Sequence, residues 1–169
     1  MNVFDAVRSL LAVRDYQDRR VPDETIRRIL EAGRLSASSM NRQPWRFVVV
    51  QDRAALRRLA ELASSGPYIA GASLAIAVAI EKDSKFAVSD ASRAVQSMML
   101  TAWEEGVGSN WVGFVPMDGV RDYLDIPPEF DVLTVVPFGY PTGVTGRGKK
   151  KRKALREIAH RERFGEPFD

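Results

Sequence analysis

The sequence predicts a domain in which a central β-sheet is covered by helices on both faces, and three observations point to it. Helical apolar stripes alternate with short β-branched runs, in the order helix, helix, strand, helix, strand, helix, strand, helix, strand. Two of the runs, Leu74 to Ile80 and Asp131 to Phe138, are apolar almost throughout, as expected of strands buried on both faces. The 169 residues are 45% hydrophobic and 28% charged, enough for one ordinary core and too few for an elaborate multidomain enzyme. Strand polarity is left open by this pattern.

Taken in order, Val3, Phe4, Val7, Leu10 and Leu11 recur at helical spacing behind Asn2, an N-cap residue, which predicts a first helix to about Val13. Pro22 and Asp23 open a second helix with Ile26, Ile29, Leu30 and Leu35 as its buried stripe. The polar stretch Ser36 to Pro44 reads as a loop, and Trp45 to Val50 as a strand. Asp52 caps a third helix with Leu56, Leu59 and Leu62 inward. After the strand at Leu74 to Ile80, Ser89 or Asp90 caps a long helix to about Glu105. Its inward residues are Ala94, Val95, Met98, Met99 and Ala102, and Gly106 closes it. A short strand at Asn110 to Phe114 follows, then a brief helix within Pro116 to Leu124, and the last strand begins at Asp131. His160 falls in a short C-terminal helix.

Charge is unevenly placed. The net charge is +3, yet residues 147–163 hold nine Lys or Arg against two acids, so the remaining chain is mildly acidic. A body of that kind with one basic segment suggests a localised anion site or a solvated tail rather than a surface basic throughout. Lys149 to Lys153 carries neither an aromatic stacking platform nor a recognition helix, so nucleic acid is not the expected partner.

Absent residue types narrow the chemistry. The chain has no cysteine and one histidine, His160, which excludes disulfides, thiolate chemistry and multi-histidine metal sites. An enzyme of this composition takes its reactivity from an organic cofactor. The glycine turns Gly106-Val107-Gly108, Gly139-Tyr140-Pro141 and Gly146-Arg147-Gly148 are not followed by helix as a dinucleotide fingerprint or P-loop would be. The N-terminal residues do not read as a signal peptide, and Ala70 to Ile80 is too short to span a bilayer. A cytoplasmic protein with no membrane partner is expected. In Ser38-Ser39-Met40-Asn41-Arg42-Gln43-Pro44-Trp45, short hydroxyl and amide side chains suit a heteroaromatic ring or a phosphate. They would equally satisfy their own turn.

Several stretches together resemble the flavin-dependent nitroreductase family: Val13-Arg14-Asp15-Tyr16, Val21 to Arg34, the Ser38 to Phe47 stretch, Ala94 to Gly113, Val136 to Pro141 and Lys150 to Arg163. The resemblance covers nearly the whole chain and implies an α+β sandwich with a central mixed sheet flanked by helices. It also implies an intertwined homodimer with FMN at the subunit interface. Residues 1–169 would form one domain, with 140–169 a basic extension packing on the partner subunit. Much of Ala94 to Ala102 would likewise face the partner. The implied activity moves a hydride from NAD(P)H through FMN to a small-molecule acceptor, a nitroaromatic or a quinone.

By the same resemblance, Arg14 would lie beside the pyrimidine edge of the flavin, and Ser38, Ser39 and Asn41 would line the ring from the partner subunit. Backbone at Val112 and Gly113 would face the flavin N5 region, while Lys150 and Arg152 would bind the phosphate. The family's basic-basic-serine triplet is replaced here by Leu10, Leu11 and Ala12. Charge-assisted hydrogen bonds contribute roughly 1.5–3 kcal/mol each, so two lost ones weaken binding about a hundredfold or more. The alternative implied by that apolar corner is a protein of this fold that has exchanged FMN for a modified flavin or a haem, or holds no cofactor. His160 would then be the axial ligand available to haem.

Overall fold

Leu74, Ile76, Val78 and Ile80 face one core, and Ala75, Ala77 and Ala79 face another. The apolar run predicted to be covered on both sides therefore alternates in size rather than polarity: the branched residues fill one layer and the alanines let helices approach closely on the other. This strand is central to the computed structural model, in which residues 1–113, 115–143 and 150–168 are described. The elements in chain order are α1 (Val3–Ser9), α2 (Asp23–Arg34), β1 (Trp45–Val50), α3 (Arg53–Leu62), β2 (Leu74–Glu81), α4 (Ala87–Glu104), β3 (Gly108–Ser109), α5 (Asp118–Tyr123) and β4 (Phe130–Gly139). Short 3-10 turns lie at Ser39–Asn41, Pro67–Gly71 and Leu155–Glu157.

The sheet order is β1-β2-β4-β3, and all three ladders are antiparallel. Among the described residues the expected mixed sheet is thus met only in the parallel bridge between Ala12 and Ser109 at its edge. On one face α2 and α4 pack Ile26, Ile29, Ala91, Ala94, Val95, Met98 and Ala102 over Ile76, Val78, Val136 and Phe138. On the other, Leu56, Leu59, Ile69 and Val120 cover Ala75, Ala77 and Val135. Each fully buried Leu or Ile on these faces contributes about 1.5–3 kcal/mol.

Several boundaries differ from the sequence reading, each for a local reason. The first helix stops at Ser9 because residues 10–13 leave it to run beside β3, where Val13 N–H donates to the Ser109 carbonyl at 2.9 Å. Val13 lies so close to Gly108 that any β-carbon there would collide with it. Asn2 caps α1 and Asp52 caps α3 as expected, through their side chains. Leu35 lies past the last turn of α2 and is exposed. The long helix begins at Ala87 without a side-chain cap, which leaves Asp90 inside it and buried. Gly106, at φ +75°, ends that helix as predicted.

Strand pairing around residue 110 is confined to Gly108–Ser109 and Val112, and Phe114 lies outside the described residues. So do Gly146, Arg147, Gly148 and Lys149. His160 follows a 3-10 turn rather than sitting in a helix, and it bridges to Pro167. Ala94, Val95, Met98 and Ala102 of α4, in the stretch expected to meet a partner, are buried in the core of their own chain, and Met99 packs partly against it. Among the described residues no helix is long and apolar enough to cross a membrane.

Candidate functional site

Two neighbouring features on the β3 side of the sheet gather most of the expected site residues. The first is built on the extended segment Leu10 to Tyr16. Tyr16 is buried and donates its hydroxyl to the Val13 carbonyl at 2.7 Å; burial pushes its phenol well above the usual range, so it stays neutral. Held by this bond and by the Ser109 bridge, the segment presents exposed Arg14, whose guanidinium carbon lies 5.7 Å from the centre of the Tyr68 ring. The Tyr68 hydroxyl accepts from Asn110 Nδ2 at 2.5 Å, and Ser65 Oγ donates to the Gly113 carbonyl at 2.6 Å. Arg14 is therefore linked through Tyr68 to Asn110, three residues before Gly113. The Val112 N–H and C=O pair with Val135.

The second feature is a cavity of about 650 Å³ lined by Phe4, Val7, Arg8, Leu10, Gln96, Lys150 and Arg152. Lys150 Nζ donates to the Val7 carbonyl at 2.8 Å. Burial, and then the neighbouring Arg152 charge, hold its ammonium below the usual lysine range. No carboxylate is among the lining residues; the Arg8 guanidinium meets Asp5 at 3.2 Å outside it. A concave site that collects like charges without an acid suits an anion, and the donor set fits a phosphate.

Leu10, Leu11 and Ala12, the positions at which the resemblance expects a polar triplet, make structural contacts. Leu10 forms part of the cavity wall, Leu10 and Leu11 pack against the small core of Val13, Tyr16, Ala72 and Trp103, and Ala12 bridges to Ser109.

The Ser38 to Asn41 turn lies elsewhere in the chain. Ser38 Oγ accepts from Gln43 N–H at 2.9 Å, Gln43 Nε2 donates to the Asn41 carbonyl and Oδ1 at 3.1 and 3.2 Å, and Ser39 N–H donates to Asp90 Oδ2 at 3.0 Å. This places the turn at the N-terminal end of α4. The cavity meets that helix at Gln96, about 9 Å further along its axis and on a different face. No residue of the turn lines the cavity. His160 is not a lining residue either: its ring packs on Phe164 at 4.4 Å between centroids. Among the described residues no cluster of acids and histidine could hold a metal. The structure thus sets Arg14 against Tyr68, which bonds Asn110 three residues before Gly113, and it brings Lys150 and Arg152 into one cavity, from whose lining Ser38, Ser39 and Asn41 are absent.

A larger open groove of about 1070 Å³ between α2 and β1 contains none of these residues, and three of its arginines, Arg28, Arg34 and Arg46, are paired with Glu105, Glu31 and Glu81.

Asp90, Arg8, Gln96, Tyr68 and Asn110 were not singled out as site residues by the sequence. For Asp90 a signal exists: it lies three residues after Ala87 and four before Ala94, on the apolar stripe, where a charge is out of place unless something pairs with it.

Comparison with known proteins bears on this arrangement. The model of the nitroreductase family matches residues 8–80 and 67–140. A protein of Archaeoglobus fulgidus described provisionally as an NADH dehydrogenase or NAD(P)H nitroreductase is 40% identical over 139 residues, covering 77% of this chain and 80% of its own. A similarly described protein of Methanothermobacter thermautotrophicus is 36% identical over 149 residues, covering 83% and 78%. The solved structure of an FMN-dependent nitroreductase from Clostridium difficile superposes with a TM-score of 0.87 at 25% identity, covering 96% of this chain and all of the other. With the family pattern matched from residue 8 to residue 140 and the α+β architecture shared along the chain, this protein belongs to the nitroreductase family.

Proposed function

We propose that the chain is an NAD(P)H-dependent flavin oxidoreductase that holds FMN with its phosphate in the Lys150–Arg152 cavity and its ring toward Arg14 and Gly113. The observation that carries this reading is the carboxylate-free cavity in which Lys150 and Arg152 converge, joined to Arg14 by the extended segment from Leu10. When bound, FMN supplies the hydride chemistry between NAD(P)H and a second acceptor, a nitroaromatic or a quinone.

The residues of the chain bind, orient and tune. Lys150 and Arg152 neutralise the phosphate, and its charge offsets the burial, and then the Arg152 repulsion, that lower the Lys150 pKa. Arg14, steadied over Tyr68, places a positive charge where a cation stabilises an anionic reduced ring. Because the Val112 backbone is committed to its pairing with Val135, the contact expected of this pair falls to Gly113. Leu10 replaces a polar contact with an apolar wall and excludes water beside the phosphate.

A homodimer completes the site in this reading. Ser38, Ser39 and Asn41 are absent from the cavity of their own chain, so they line the ring bound by a second copy; Tyr140 to Thr142 and Lys150 stay on their own chain, and the segment beyond Arg152 packs on that copy. The exposed side chains Val3, Phe4, Val7 and Phe164 support an apolar interface. Sedimentation is expected to give twice the chain mass of 18.9 kDa.

Titration of the purified protein with FMN, followed by flavin fluorescence and absorption, tests the reading. Saturable binding with one flavin per chain is expected. Protein that ignores FMN contradicts it, and a haem spectrum would favour the alternative suggested by the apolar Leu10 wall.

A further inference from the structure

We infer that Asp90 is a positioning residue: its buried carboxylate holds the Ser38 to Asn41 turn in the geometry that meets the flavin ring. This rests on the FMN reading above and adds to it a residue that does not itself touch the cofactor.

Asp90 is 1% exposed, within the fourth position of α4 on its apolar stripe. An ionised carboxylate so placed is costly unless both oxygens are paired. Here Oδ2 accepts the Ser39 N–H at 3.0 Å across 51 residues of sequence, and Oδ1 pairs with Arg93 one helical turn on. The bond to Ser39 is a charge-assisted one to backbone, the kind that fixes a loop with least dependence on side-chain rotamers.

The turn needs such a hold. Met40, Asn41 and Gln43 have φ of 50°, 54° and 52°, a left-handed conformation in three non-glycine residues within four positions. Residues held there persist only when their surroundings over-determine them, and they cluster at ligand sites. The other hydrogen bonds of the turn, from Gln43 to Ser38 and Asn41 and from the Asn41 and Arg42 N–H groups to the Ser38 and Ser39 carbonyls, are local to it. Among the described residues, the Ser39–Asp90 bond is the one that ties Ser38 to Asn41 to the helical scaffold. Without it the turn relaxes, and its hydroxyls and amide no longer converge on one place.

The turn faces the ring rather than the phosphate in this arrangement, so Asp90 acts on affinity for the ring. Titrate wild type, Asp90→Ala, Asp90→Asn and Asp90→Glu with FMN and with riboflavin, and record the visible circular dichroism of the bound flavin and the melting temperature of the apoprotein. Asp90→Ala is expected to weaken both flavins by about tenfold or more and to alter the dichroism. Asp90→Asn keeps an acceptor for Ser39 while losing the charge opposite Arg93, and it is expected to recover most of the affinity and the wild-type dichroism. Asp90→Glu keeps the charge but displaces the acceptor, and it is expected to bind more weakly than Asp90→Asn. This last comparison decides the matter if Asp90→Ala does not fold. Wild-type affinity and dichroism in Asp90→Ala, or Asp90→Glu binding better than Asp90→Asn, overturns the inference alone. Wild type binding neither flavin overturns the FMN reading and this inference with it.

Discussion

Lys150 donates to the carbonyl of Val7 at 2.8 Å across 143 residues of sequence, so the start of the basic C-terminal segment is anchored on the end of α1. Arg152 lines the same cavity, while the exposed Lys153 does not. Arg152→Ala is therefore expected to lower FMN affinity by about tenfold or more, the loss of one charge-assisted hydrogen bond, and to leave riboflavin affinity unchanged. Lys153→Ala is expected to change neither. Fluorescence titration checks this, and equal FMN affinities in the two variants would remove the phosphate from the cavity.

The lowered pKa of Lys150 gives the binding a pH signature. Its ammonium attracts the phosphate only while protonated, so its share of the FMN affinity is present below the depressed value. It falls as pH rises through the depressed value, earlier than an ordinary lysine would permit. The phosphate raises that pKa in the complex, which is the linkage required by tighter binding of the protonated form. Riboflavin shares the ring and lacks the phosphate, so it reports ring ionisation alone. In Lys150→Arg the FMN-specific fall is expected to move to higher pH; no difference between the two flavins across the alkaline range would contradict the assignment.

Leu10 lines the cavity and Ala12 bridges to Ser109, at positions that the resemblance expects to be polar. Leu10→Arg with Ala12→Ser is expected to raise FMN affinity by about tenfold or more without a comparable gain for riboflavin. A double variant with an unchanged melting temperature and no gain in FMN affinity would separate this corner from the phosphate.

Arg14, 5.7 Å from the centre of the Tyr68 ring, is expected to favour the reduced flavin. Arg14→Gln should make the two-electron potential of bound FMN more negative by about 30 mV for each tenfold loss of reduced-state preference. Spectroelectrochemistry of the loaded protein measures it. A potential equal to that of wild type would place the cation away from the ring.

The bridge that carries Arg14 depends on the contact of Val13 with Gly108. Overpacking there should cost about 1–3 kcal/mol, so Gly108→Ala is expected to lower the melting temperature and to weaken flavin binding through displacement of residues 12–14. A stable Gly108→Ala protein with normal binding would mean that the bridge does not position Arg14.

Legibility in the sequence followed the range of the forces. Elements built from local patterns, such as α2, α3 and β2, were readable because capping and periodicity act within a few residues. The end of α1 was not, since its apolar spacing continues through Leu10 and Leu11 while Ser109, a hundred residues later, draws that segment into an edge pairing. Sheet polarity failed to show for the same reason, ladder partners being remote in sequence. The basic segment was legible as a charge imbalance, but the cavity was not, because Arg8 and Gln96 join Lys150 only in three dimensions. Asp90 looked like a cap, and only the fold shows its carboxylate buried against Ser39.

If this chain binds FMN as proposed, NAD(P)H must reduce it there. The direct measurement is anaerobic addition of NADH or NADPH to the protein loaded with FMN, followed at the visible flavin band. The account predicts bleaching much faster than that of free FMN at the same concentration, and slower bleaching in Arg14→Gln. Protein that takes up no FMN, or bound FMN reduced no faster than free FMN, would contradict it.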